Sequence, residues 1–127
     1  MGDRSSRILR VQDDRGRGPW RPGFSAGWVD SWRTECLPPV YQEIPDFAAI
    51  VARAKRDGMH VGCAARGMAG LLAWFSPMEL CRLDDLGFQI VDASGCDVLA
   101  ETPHQLIIGS NRPLRELPSV LKGEANA

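Results

Sequence analysis

The residue types able to do chemistry stand near the two ends of the chain. Close to the start, Ile8-Leu9-Arg10-Val11-Gln12 sets a permanent charge inside a short apolar run. A core accepts such a charge only with a partner, so Arg10 is expected to face a cleft or an anion. The segment after it carries Gly16, Gly18, Gly23 and Gly27 together with Pro19 and Pro22. That composition excludes regular structure and predicts a long shaped loop, the kind of segment on which function often sits. Late in the chain, Glu101 is the acid beside the apolar run Leu106-Ile107-Ile108, with His104 and Gln105 between them. Arg10 and Glu101 are each a charge in an apolar strand context, and the expectation is that they face one cleft and offset each other's desolvation. His104 could hydrogen-bond a ribose or phosphate, or be an exposed turn residue. Cys63 could be a nucleophile, but no base is placed beside it by the sequence, and a small buried residue is the competing reading. Cys36, Cys63, Cys81 and Cys96 contain no Cys-x-x-Cys pair, and with the two histidines they lack ligand spacing, so no metal site is expected.

Composition bounds these options. The 127 residues are 44% hydrophobic and 24% charged with a formal net charge of −1, the profile of one ordinary globular domain without a global attraction to nucleic acid or membrane. The first quarter is locally basic, with Arg4, Arg7, Arg10, Arg15, Arg17, Arg21 and Arg33 set against Asp3, Asp13, Asp14 and Asp30. Such asymmetry suits a phosphate-bearing ligand or an acidic partner surface, and equally a loop kept charged for solubility. No stretch approaches a membrane span and no secretory signal is evident, so the cysteines are expected to be reduced and mostly buried, and the protein cytoplasmic.

The elements that must position these residues follow from periodicity and punctuation. A first strand is expected over 7–12. Trp28, Val29 and Trp32 suit a short helical turn ended by Pro38 and Pro39, and Trp20, Trp28 and Trp32 could stack on a planar ring or simply pack the loop onto the body. Phe47, Ile50, Val51 and Ala54 recur at helical spacing, with Gly58 as the stop. The run 59–65 reads as a short strand leading into a helix that presents Met68, Leu71, Leu72 and Phe75. Ser76-Pro77-Met78-Glu79 is a capping box, which predicts a helix through Leu80, Leu83 and Leu86 with Gly87 as its left-handed cap. Beyond it, 88–93, 98–101 and 104–109 are strand-like, and Pro113 and Pro118 bracket one short turn. Helices in the middle and strands late in the chain predict an α+β fold.

The pattern Ile8-Leu9-Arg10-Val11-Gln12 resembles the opening strand of the arginine-serine-glutamate class of ADP-ribosyltransferases, and the run from Gly16 to Trp28 resembles small phage and prophage proteins related to that fold. The resemblance implies one ADP-ribosyltransferase-like domain over 1–127, with two small β-sheets around a cleft and flanking helices; the polar ends 1–6 and 122–127 are expected to be flexible. It implies NAD as cofactor, with Arg10, Arg17, Trp20, Arg21, Ser25, Trp28, Cys63 and His104 at the binding cleft. The family's Ser-Thr-Ser motif falls on Cys63, Ala64 and Ala65, so its hydroxyls are missing. Its catalytic carboxylate, which stabilises the oxocarbenium-like state as nicotinamide leaves, falls on Gln105 by distance to 106–108, with Glu101 as the nearest acid. The implied function is mono-ADP-ribosylation of a host macromolecule. The alternative is a catalytically inactive binding protein on the same scaffold, such as a phage-type anti-CRISPR inhibitor that blocks a host protein or nucleoprotein in the host cell cytoplasm by surface contact.

Overall fold

A computed structural model describes residues 7–19 and 40–120. Among them the chain runs through β1 (Ile8–Gln12), α1 (Val40–Glu43), α2 (Phe47–Arg56), β2 (His60–Arg66), α3 (Gly67–Trp74), α4 (Pro77–Asp85), β3 (Gln89–Asp92), β4 (Asp97–Glu101), β5 (Leu106–Ser110) and a 3-10 turn over Leu114–Glu116. The fold is α+β, built on a five-stranded antiparallel sheet in the order β3-β1-β2-β5-β4. The expected pair of small sheets is corrected by this arrangement, and the length of β2 is the reason. Its seven residues pair with two neighbours in turn, His60 to Ala64 lying along β5 while only Ala65 and Arg66 reach β1. A narrow join of two residue pairs, Ile8↔Arg66 and Leu9↔Ala65, therefore makes one sheet out of what would otherwise be two.

Alternation along the strands sends apolar side chains to both faces. On one face Leu9, Val11 and Ala65 pack against Leu71 and Phe75 of the α3 segment, Leu83 of α4 and Phe88. On the other, Ile8, Ala64, Leu106 and Ile108 meet Ala93 and Leu114, so the 3-10 turn caps this side. Gln12 fixes that turn by donating from Nε2 to the Leu114 carbonyl at 2.7 Å.

The capping box forms as expected: Ser76 Oγ accepts from the Glu79 N–H at 3.1 Å and Glu79 Oε1 accepts from the Ser76 N–H at 2.8 Å. Gly58 and Gly87 take φ of +79° and +93° where α2 and α4 stop. The apolar faces differ from expectation in detail. Leu71, Phe75 and Leu83 are buried, but Met68, Leu72 and Leu86 are exposed, Leu86 lying just past the end of α4. Cys81 is also exposed, and Cys63 and Cys96 are half-buried, so the expectation of mostly buried cysteines fails among the described residues. On α4 the inward positions are taken by Glu79 and Leu83, which leaves Cys81 outside. No described helix is long and apolar enough to cross a membrane.

Candidate functional site

Arg10 sits where β1 and β2 part company. The ladder between them ends at Leu9↔Ala65, which leaves backbone carbonyls further along without a cross-strand donor, and the guanidinium takes them over. Nη1 donates to the Cys63 carbonyl at 2.8 Å, Nη2 to the Gly16 carbonyl at 2.9 Å, and Nε to Gln12 Oε1 at 2.9 Å. The side chain is buried, with 7% exposure, so its charge is enclosed in protein. Burial lowers its pKa from the ordinary guanidinium value, and nearby Cys63 and Asp13 oppose that shift. Gly62 is required beside it: a Cβ there would lie 2.7 Å from Nη1.

The glycine-rich loop begins as a tight structure around Asp13. Its carboxylate accepts from the backbone N–H groups of Arg15 and Arg17 at 3.0 and 2.9 Å and pairs with Arg17 Nε at 3.1 Å. Arg17, a candidate ligand for NAD, is thus tied to Asp13. Trp20, Arg21, Ser25, Trp28 and the expected turn at Trp32 lie outside the described residues.

Cys63 is on β2 facing Ile107 of β5. Burial pushes its thiol pKa up despite the neighbouring Arg10, which disfavours the thiolate that a nucleophile needs.

Glu101 ends β4 opposite Leu106, and Arg10 is two residues from Ile8, which with Leu106 belongs to one apolar cluster. Both therefore lie on one face of the sheet. Three strand spacings separate β1 from β4, roughly 14 Å at about 4.8 Å each. The two charges take different partners: Glu101 is held by Arg66 in a bidentate pair, with both N···O distances 2.9 Å. Arg66 lowers the pKa of the Glu101 carboxyl through those hydrogen bonds and its charge. The expected mutual offset of Arg10 and Glu101 is replaced by this pair and by the carbonyl cage around Arg10.

Gln105 and His104 belong to a polar cluster whose centre is Glu43 of α1. Glu43 Oε1 accepts from Thr102 Oγ1 at 2.6 Å and from Gln105 Nε2 at 2.8 Å, while Oε2 meets His104 Nδ1. Thr102 Oγ1 also accepts from the His104 and Gln105 N–H groups at 3.1 and 3.2 Å, and Trp74 Nε1 donates to the His104 carbonyl at 2.8 Å. Burial alone would raise the Glu43 pKa; the hydrogen bonds from Thr102, Gln105 and His104 outweigh it and hold the group below the usual carboxylate value. With Nδ1 directed at a carboxylate, His104 is oriented so that Nε2 is its other ring face. Sequence reasoning found Gln105 and His104 but missed Glu43, Thr102 and Arg66. Arg66 carried a signal, a charge ending the small-residue strand; Glu43 carried none, since α1 is four residues long and shows no period.

The candidate positions among the described residues thus fall on β1 and the loop after it, on β2, at the end of β4 and in the turn that leads into β5. Among the described residues no group of three or more His, Cys, Asp or Glu side chains could hold a metal ion. Comparison of the chain with family models, curated proteins and solved structures returns no match.

Proposed function

We propose that this chain is a binding protein on an ADP-ribosyltransferase-like scaffold, acting on a host protein or nucleoprotein by surface contact without transferring ADP-ribose. One observation carries the reading. The position that the resemblance assigns to the catalytic carboxylate is Gln105, and its amide is donated at 2.8 Å to Glu43. A neutral amide so engaged cannot stabilise positive charge developing on a ribose. The nearest acid in sequence, Glu101, is engaged in its bidentate pair with Arg66. NAD fits the residues poorly as well, because Arg10 directs its donors at protein acceptors and is almost fully enclosed.

A second reading, NAD-dependent transfer, keeps the support of strand order: Arg10, Cys63 to Ala65, and Gln105 lie on or at the ends of adjacent strands. In that reading Arg10 would anchor NAD and Glu101 would supply the carboxylate. The two are separated by incubating purified protein with labelled NAD and host-cell lysate, beside a Glu101→Gln variant. The contact reading expects no label on protein or nucleic acid and no nicotinamide release above background. Label that appears with the parent chain and is lost with Glu101→Gln would replace it with the transferase.

A further inference from the structure

The described surface carries an open groove of about 500 Å³ between the start of the glycine-rich loop, the end of α2 and the 3-10 turn. Its described lining brings together Arg15, Lys55, His60 and Arg115 with the half-buried apolar floor residues Met59, Val61 and Pro113. Three local devices build it. Gly16, at φ +81°, lets the loop press onto the turn, where a Cβ would stand 2.8 Å from the Arg115 backbone nitrogen. Gln12 clamps the turn from beneath. Gly58 ends α2 with positive φ, and it lines the groove together with Lys55.

The charge is one-sided. No carboxylate among the described residues lines the groove. Asp14 and Glu116 each adjoin one of its cations in sequence and Asp57 is two residues from Lys55; Glu116 faces Arg112, at 3.6 Å. None of Arg15, Lys55, His60 or Arg115 forms a salt bridge among the described residues. Arg15, Lys55 and Arg115, without carboxylate partners beside a partly apolar floor, give this part of a chain of net charge −1 donors that suit an acidic ligand.

We propose that this groove is the docking surface for an acidic, amphipathic segment of a partner protein, whose carboxylates meet Arg15, Lys55 and Arg115 and whose apolar side chains cover Met59, Val61 and Pro113. The proposal rests on the contact reading above and names its surface. The floor selects this occupant over a nucleic-acid backbone. A phosphate chain has no use for aliphatic ground, and among the described groove residues His60 is the one ring on which a base could stack.

The test uses the full chain and a fluorescein-labelled synthetic peptide alternating glutamate with leucine and valine. Its controls are an oligoglutamate, the same peptide with lysine for glutamate, and an oligothymidylate. Amide chemical shifts of the groove residues are expected to move with the first peptide. The dissociation constant is expected to rise about tenfold or more in the Arg15→Glu, Arg115→Glu double variant and with added salt. Lys55→Glu, on a different element, provides a second variant, and amide spectra report folding of both. Shifts confined to other surfaces, affinity unchanged in both folded variants, or tighter binding of oligoglutamate or oligothymidylate would each overturn the proposal. The NAD experiment separates the two levels: docking lost with labelling absent removes the groove alone, whereas Glu101-dependent labelling removes the contact reading.

Discussion

Arg10 is the residue whose role depends most on where the backbone goes. A strand-borne arginine needs partners, and the sequence makes that need visible; the partners themselves, two main-chain carbonyls and a glutamine amide oxygen, carry no sequence signature. A ligand-binding arginine and a structural one make opposite predictions. If the guanidinium holds the β1–β2 separation together, Arg10→Ala leaves buried acceptors unpaired at about 1–3 kcal/mol each. The unfolding free energy from urea denaturation should then fall by about 3 kcal/mol or more in the absence of any ligand. Gly62→Ala should act through the same contact, since its Cβ would meet Nη1 at 2.7 Å and Leu114 Cδ1 at 3.0 Å; overpacking of this kind costs about 1–3 kcal/mol. Arg10→Ala with wild-type stability would show that the cage does not matter to folding.

At the scale of elements, α4 shows what local chemistry can specify. Its start is written in four consecutive residues, and both reciprocal bonds of the capping box form. Ser76→Ala should therefore lower stability by about 1 kcal/mol, and Ser76→Asp should restore most of it because aspartate also accepts from the first-turn N–H groups. Equal urea midpoints for parent and Ser76→Ala would contradict that role. The same locality explains which parts were legible in advance. α2, α4, the glycine stops, the α+β class and all five strands follow from period, cap and turn codes that act within a few residues. The strand order, the junction at Ala65 and Arg66, and the exposure of Leu86 depend on contacts far apart in the chain, and no local code records them. Glu43 was invisible for the same reason: its partners Thr102, His104 and Gln105 are about sixty residues away. Of the candidate site, the positions of Arg10, His104, Gln105 and Glu101 could be read, but not the contacts that engage them.

At the scale of the whole molecule, four carboxylates tie separate parts together, and all four titrate below their ordinary values. Asp13 orders the loop after β1, Glu43 joins α1 to the β4–β5 turn, Asp92 meets Arg7 and Ser94, and Glu101 joins β4 to β2 through Arg66. A group whose folded pKa is depressed contributes stability that is present above its unfolded value, about 4, and is lost as pH falls through the folded one. The contributions are unequal. Asp13 and Glu43 have side chains only 9% and 13% exposed, whereas Asp92 and Glu101 are 30% and 39% exposed, where solvent screens the pairing. Urea midpoints measured from neutral pH downward should accordingly hold nearly level, as far as these groups are concerned, until about pH 5 and then decline through the acid range. Replacing Glu43 with glutamine removes one of the two dominant titrations and leaves the Gln105 and Thr102 donors facing a neutral amide oxygen. The variant should be less stable than the parent near neutrality and lose less on acidification, so that the two curves converge at low pH. Parallel curves would mean that Glu43 is not a source of the acid sensitivity, and that its cluster is held by packing instead of charge.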